Sequence, residues 1–530
     1  MSSMKILICS FLISSFVFFK VSKLLYIETT TTILSYILIL SLLYIFYEVD
    51  YKRRRLPNGP TPWLLAGNMP SFVITSSVDE LFLKWKRIYG SIFTVWIGPI
   101  PLVMVSDLPT IKKYFVQHAD AFSNRWRNYV TDSIMEGTNG VVQIDGEKWR
   151  EQRRFALHTL RDFGVGRPLM EDKIMIEVEA LSKYLEQHDG KEINLCSPIA
   201  VCVGNIINNM LFGMRFSQGD VEMHSLHNLL DRQSRIVMKS IMGAYIAFPS
   251  TSEVPVLNET WKELMDIKKE LCGFLNEQVQ DHRVRWNEEM MEEDVEDLTF
   301  AYMKEVEKRK RNNEDVGFFD DQQLQMLLLD LFFAGMETTV TTLKWAFLLV
   351  AKHEDVQHKI QLEIDQLGLD RITLSHRTML PYTQATINEI QRVANILPIN
   401  LLRTVAEDTN IDGYSFKKGD LIIPQISILM NDPDVFEDPH LFNPSRFLDD
   451  YNNVKKIDEF LPFSIGRRQC LGESLARAEL FLIFANMIRN FNFNVSQNVS
   501  TERILGLTVS PPSYSCTVSK RCIDLNSNSL

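Results

Sequence analysis

Leucine and phenylalanine cover nearly every face of the chain from Met326 to Phe333, and from Gln322 to about Lys352 there is no proline and one glycine. A segment that is apolar all round and free of breakers predicts a long, buried α-helix. Inside it, Ala334-Gly335-Met336-Glu337-Thr338-Thr339 is out of character. Glycine in a helix interior costs about 1 kcal/mol relative to alanine, and a buried glutamate costs more unless it is paired. Ala334, Gly335 and Thr338 stand three and four residues apart and so share one face, which predicts a shallow notch with a hydroxyl beside it. The Thr338 hydroxyl is placed to bond the carbonyl of Ala334. Taken alone, the same small residues would equally suit a helix crossing point.

Two more helices carry polar groups of interest. The stretch Tyr382 to Arg392 puts Glu389 and Arg392 on one face, and Gly472 to Leu482 reads as a helix that opens just after Cys470. Near the N-terminus, Thr29 to Tyr47 is nineteen residues without a charge, long enough at helical rise to span a bilayer core. Lys52-Arg53-Arg54-Arg55 follows, and basic residues flanking an apolar helix stay cytoplasmic. Leu56-Pro57-Asn58-Gly59-Pro60-Thr61-Pro62 is too proline-rich for helix and reads as a stiff hinge. The earlier apolar run Ile6 to Phe19 is fourteen residues long and is open to three readings: a signal-like segment, half of a hairpin, or an extension. No small-x-small site follows it and no arginine precedes Arg53, which favours the endoplasmic reticulum over secretion or a mitochondrial address. The expected layout is an extension (1–28), a transmembrane anchor (29–47), a basic stop-transfer and hinge (48–62), one large catalytic domain (63–522) and a tail (523–530).

Composition narrows the class. With 530 residues, 45% hydrophobic and 23% charged, the chain suits a globule with a large core. A net charge of −11 argues against nucleic acid as a partner. Seven cysteines, with no C-x-x-C spacing, fit a reducing compartment.

One cysteine stands apart. Cys470 lies in Phe463-Ser464-Ile465-Gly466-Arg467-Arg468-Gln469-Cys470-Leu471-Gly472, whereas Cys9, Cys196, Cys202, Cys272, Cys516 and Cys522 have no comparable setting. The glycines at 466 and 472 let the backbone turn tightly and approach a flat ligand. The helix N-terminus behind the cysteine, with Arg467 and Arg468 beside it, is expected to lower the thiol's pKa toward a thiolate. The ten-residue pattern F-x-x-G-x-R-x-C-x-G resembles the haem-binding loop of the cytochrome P-450 family. That resemblance implies that Cys470 is the axial ligand of a haem b iron, with Phe463, Gly466, Arg468 and Gly472 shaping its cradle. Ala334 to Thr339 resembles the family's oxygen-activation signature, in which Thr338 and Glu337 deliver protons beside the notch at Ala334 and Gly335.

Further pieces follow in the family's order. Trp149-x-x-x-Arg153 resembles the pair that reaches a haem propionate, and the same resemblance makes Arg468, and less specifically Arg403 shortly after Pro398, further propionate arginines. Glu389 and Arg392 resemble the family's E-x-x-R, completed by Arg446 in Asn443-Pro444-Ser445-Arg446-Phe447, where serine replaces the usual glutamate. These three are expected to hold the haem core structurally. The resemblance spans roughly Leu56 to Cys522 and implies a mainly α fold with small β-sheets, the haem held between the long helix and the helix after Cys470.

It also implies an oxidoreductase: a monooxygenase of the microsomal type acting on dioxygen and a lipophilic small molecule, whether xenobiotic, steroid or fatty or other organic acid. Asp162-Phe163-Gly164-Val165-Gly166 and Phe212-Gly213-Met214-Arg215-Phe216 look like the xenobiotic- and steroid-metabolising branch. No Gly-x-Gly-x-x-Gly occurs, so electrons must come from another protein, which the resemblance implies is a flavoprotein reductase using NADPH, with cytochrome b5 open as an additional partner. Lys148, Arg150, Arg154, Arg467 and Arg477 suggest its docking face. By the same resemblance the substrate pocket draws on Phe122 to Val142, the helix near Phe333, Ile396 to Leu402 and the turn near Leu507. A haem-binding sensor or carrier, and a peroxide isomerase or dehydratase on the same fold, are the rival readings.

Overall fold

A computed structural model describes residues 29–47 and 52–522, apart from 64–65, 76, 165–167 and 293–294. The extension 1–28, the start of the stop-transfer segment (48–51), Val165, Gly166 and the tail 523–530 lie outside the described residues. Most of the chain is helical, as the sequence pattern predicts. The helices that build the site are Gly146–Asp162 (α2), Cys196–Phe212 (α3), Val221–Ile236 (α4), Asp321–Lys352 (α5), Pro381–Ala394 (α6) and Glu473–Asn490 (α7), preceded by Thr29–Phe46 (α1).

Helix α5 begins where Asp320 caps it, its carboxylate accepting the N–H of Gln323. It then runs thirty-two residues through the middle of the largest apolar cluster, packed against α3, α6 and α7. By length and hydropathy it could cross a membrane, but most of it is buried inside the protein. Helix α1 is the opposite case: Leu34, Leu38, Leu42 and Phe46 are all exposed. An apolar helix of eighteen residues whose side chains meet little protein has no reason to be apolar in water.

The sheets are small. Five strands pair in the order β1 (Ile92–Ile97), β2 (Ile100–Val105), β8 (Leu421–Pro424), β5 (Arg403–Thr404) and β3 (Asn124–Arg125). Three more form β4–β10–β9, from Lys191–Ile193, Cys516–Lys520 and Phe491–Asn494. The short antiparallel register of β3 on β5 places Arg125 directly opposite Arg403. Like charges in that position are unfavourable in an ordinary sheet.

The proline-rich segment corrects an expectation, because it is no hinge. Leu56, Pro57, Gly59 and Pro60 are buried, Thr94 of β1 donates through its hydroxyl to Pro57 O at 2.8 Å, and its N–H donates to Asn58 O at 3.2 Å. A Cβ on Gly59 would collide with the Thr94 carbonyl. Proline cannot donate, but its carbonyl still accepts, so the stretch lies down on the sheet. The globule therefore starts before residue 63, and Arg55, paired with Asp420, already belongs to it.

Glu389, Arg392 and Arg446 form the expected network. Arg392 is bidentate to Glu389 at 2.7 and 2.8 Å, with both side chains fully buried, and Arg446 Nε reaches Glu389 Oε1 at 3.0 Å. The backbone N–H of Asn443 donates to the same oxygen at 2.9 Å. Ser445 costs the network nothing, since its N–H serves an Asn443 turn and no side chain is needed at that position. Replacing Glu389 by alanine leaves the buried Arg392 guanidinium without its counter-ion and is expected to cost about 3–5 kcal/mol, measured by denaturant unfolding; a loss below about 1 kcal/mol would contradict this role.

Candidate functional site

Helices α5 and α7 enclose between them a cavity of ≈530 Å³. Its floor is the Cys470 loop. Ser464 and Gly466 take positive φ (64° and 79°), and a Cβ at 466 would run into the carbonyl of Phe115, so glycine is required there. Gly472 is different: its backbone is ordinary, and nothing lies within 4 Å of where a Cβ would stand, on the cavity wall. It contributes clearance, and the tight turn belongs to 464 and 466. The Cys470 N–H closes the loop on Phe463 O at 2.9 Å. Cys470 is the one exposed residue of its kind on the cavity wall, and the space it opens onto is the cavity.

The electrostatics around that sulfur depart from expectation. Burial pushes the Cys470 thiol up, opposed by the Gly472 N–H and by Arg153 and Arg477, while Glu473 adds to the rise. Arg467 and Arg468 take no part, because Arg467 pairs with Asp120 and Arg468 turns inward. A thiol in this state loses its proton when a cation binds it, as metal ligation does.

The roof is α5. Ala334, Gly335 and Thr338 face the cavity together, and the Thr338 hydroxyl donates to Ala334 O at 2.7 Å, as predicted. The crossing-point reading holds too: a Cβ on Gly335 would stand 2.6 Å from Cδ1 of Ile207 on α3. Glu337 is not in the cavity wall. Its carboxyl is buried behind α5, accepting the Thr508 hydroxyl at 2.6 Å and, more weakly, Thr341 at 3.5 Å. Burial raises it to about 7 against the pull of Thr508 and Lys344.

At one end the cavity is strongly positive. Arg125, Arg153, Arg403 and Arg468 line it beside Trp149, and none of the four is ion-paired among the described residues. Arg153 donates to Gln469 O at 2.6 Å. Arg468 donates to Ser123 O and Ile144 O at 2.8 and 2.7 Å and lies 3.9 Å over the Trp149 ring. Burial and mutual repulsion push Arg468 down to about 8 and Arg125 down to about 10, and hold Arg403 well below the usual arginine range. Trp149 Nε1, Arg403 Nη1 and Arg468 Nη1 are buried donors without an acceptor. Such a set requires an anion with more than one acceptor. The two propionate carboxylates of a haem would supply acceptors for these donors, and Cys470 on the same cavity would offer its sulfur to the iron, so the residues present fit haem.

Several functional groups escaped the sequence. Arg125 sits on a two-residue strand and gave no motif. Asp330, raised to about 6 by burial, takes the N–H groups of Val141 and Val142 at 2.7 and 2.9 Å and so fastens that loop to α5. Glu479 on α7, raised to about 8 by burial, accepts the Thr339 hydroxyl at 3.1 Å across the cavity wall. All three look like isolated charges in sequence. Conversely, Gly466, Glu389, Arg392 and Arg446 support the site without lining it. The four substrate segments line the cavity as expected, but so do Gln233, Val237, Met242 and Ile246, which no motif singled out. Of the five basic residues assigned to a docking face, Arg150, Arg154 and Arg467 are exposed; Lys148 turns to Asn139 and Arg477 to Glu473.

The family profile described as Cytochrome P-450 matches residues 57–518. Cytochrome P-450 2J2 of Homo sapiens is 36% identical over 475 residues, covering 88% of this chain and 92% of that protein. Cytochrome P-450 2B19 of Mus musculus is 36% identical over 466 residues, covering 86% and 92%. Cytochrome P-450 2K1 of Oncorhynchus mykiss is 34% identical over 517 residues, covering 94% and 99%.

The unpaired Arg403 generates a prediction of opposite signs. Arg403→Leu is expected to raise the melting temperature of the apoprotein, by removing a buried like charge, and to speed haem loss from the loaded protein by about 10–100-fold, the worth of a charge-assisted hydrogen bond. Haem transfer to apomyoglobin measures the second effect.

Proposed function

The chain belongs to the cytochrome P-450 family, whose members are haem b monooxygenases, and from that premise we propose that it inserts one atom of dioxygen into a lipophilic small molecule, with electrons from NADPH passed on by a separate flavoprotein reductase. The observation that carries this reading is the cavity itself, with Cys470 opening onto it from one side and the Thr338 notch from the other. Haem b, when bound, supplies dioxygen activation and transfer of one oxygen atom to carbon.

The protein's own part is holding, excluding and proton handling. Cys470 offers its sulfur from a loop locked by the Phe463 bond, and the Gly472 N–H tempers the charge on that sulfur. Arg125, Arg153, Arg403, Arg468 and Trp149 would hold the propionates. Ala334 and Gly335 leave room above, and Thr338 keeps a hydroxyl proton at its Oγ beside that room. Glu337, poised near neutrality by burial, is the acid that resupplies it. The rest of the wall is mostly apolar, including Val141, Ile207, Val237, Phe333, Ile396 and Leu507, which supports a lipophilic substrate of the xenobiotic or steroid kind. Apolar α1 followed by Arg53, Arg54 and Arg55 supports an endoplasmic-reticulum anchor with the globule on the cytosolic side. Exposed Arg150, Arg154 and Arg467 support docking of an acidic donor, the reductase first and cytochrome b5 as a second candidate.

Cys470→Ser is expected to abolish the red-shifted Soret band of the reduced, carbon-monoxide-bound protein and all product formation; turnover in that variant would overturn the assignment. Thr338→Ala is expected to retain haem while diverting reduced oxygen to peroxide, with product per NADPH falling about tenfold or more, within the range of one proton-transfer group. Tightly coupled turnover in that variant would remove Thr338 from the proton path.

A further inference from the structure

Glu337 stands next to Thr338 in sequence, yet its carboxyl is directed to a different part of the molecule. Its partner, Thr508, is at the tip of a tight turn closed by mutual backbone bonds between Ile504 and Ser510, at 2.9 and 3.2 Å. That tip is fastened on three sides. Leu507 N–H donates to Ser234 O on α4 at 2.8 Å, Thr508 N–H to Ser234 Oγ at 3.2 Å, and Val509 N–H to Ile396 O at 2.8 Å. The Trp345 indole of α5 donates to Val509 O at 2.9 Å. A Cβ on Gly506 would stand 2.8 Å from Ser234 Oγ, so the turn rests directly on that serine. The hydroxyls of Ser234 and Thr508 lie 3.2 Å apart, and Thr508 donates onward to Glu337 at 2.6 Å.

Thr508 and Leu507 line the cavity, whereas Glu337 and Ser234 do not. On a helix turning about 100° per residue, Glu337 and Thr338 lie about 60° and 40° to either side of Ala334, one turn earlier. The two side chains therefore flank Ala334, and the Glu337 carboxyl turns away from the notch to meet Thr508 and Thr341. We propose that Thr508 is a positioning residue for oxygen activation: its hydroxyl holds the Glu337 carboxyl out of the cavity in the resting protein, so that protons do not reach the Thr338 notch before a substrate presses on the Leu507–Thr508 turn. This rests on the monooxygenase reading above and on the proton role of Glu337 within it.

Lys344 on α5, Asp231 on α4 and Cys196 on α3 are the other charged and titratable groups that act on the carboxyl, with His227 of α4 beside Lys344 and Asp231. Thr508 is the strongest influence favouring the carboxylate. Its removal must therefore move the titration of Glu337 upward in pH, a readout that a merely structural threonine would not move.

The test uses the full-length haem protein without substrate. The Glu337 carboxyl is titrated by difference infrared spectroscopy, with Glu337→Gln identifying its band, and NADPH oxidation with reductase is followed alongside. Thr508→Val is expected to shift the midpoint to higher pH and to raise substrate-free NADPH oxidation about tenfold, the factor one lost hydrogen bond corresponds to, and Thr508→Ser to restore both. An unshifted midpoint in Thr508→Val overturns the proposal. If Thr508→Val does not take up haem, Ser234→Ala, which loosens the same turn from outside the cavity, must shift the midpoint in the same direction, and no shift there overturns it equally. Unchanged peroxide yield in Glu337→Gln would instead refute the proton role of Glu337, whatever the midpoint does.

Discussion

Four guanidinium groups, three of them buried, converge on one end of a single cavity with no carboxylate paired to any of them among the described residues, and much of the architecture is arranged around that uncompensated charge. Arg125 and Arg403 face each other across a strand pair that would be unfavourable by itself. Arg468 arrives from the Cys470 loop and Arg153 from α2, so packing brings four separate stretches of chain together against the mutual repulsion of their charges. Their positive charge and their unpartnered donors suit a bound dianion.

The sulfur and the notch then follow from geometry. The Cys470 loop is locked by one backbone bond and by a left-handed glycine pressed against Phe115, which leaves little freedom in where the sulfur points. Across from it, α5 answers to two demands through the same residues. Gly335 lets Ile207 of α3 approach closely, and Ala334 with Thr338 leaves a gap on the cavity. The two readings of a small-residue patch, packing and chemistry, are here both true of one helix turn.

Burial is used on acids in three different ways. Asp330, Glu337 and Glu479 all have their carboxyls raised by desolvation, yet they meet different partners: the backbone of a loop, a threonine on a distant turn, and a threonine of the facing helix. A carboxyl close to neutrality costs less to bury than a fixed charge and keeps a proton within reach of the cavity. Such groups suit a site that must be dry for its chemistry and still supplied with protons.

Sequence by itself determined the long helix, the Thr338 bond to Ala334, the Cys470 loop, the Glu389 network and the apolar N-terminal helix, because each rests on local periodicity or on residues a few positions apart. It also led to the family. What only the tertiary structure decided is which charges meet. Arg125 on a two-residue strand, Asp330 within a leucine run and Glu479 in an amphipathic helix carry no local signal, and become a site only when elements hundreds of residues apart are packed together. The same holds for the surroundings of Cys470: proximity in sequence pointed to Arg467 and Arg468, whereas packing brought Arg153 and Arg477. Coulomb interactions depend on distance in space and on local burial, and neither is written in the spacing of residues along the chain.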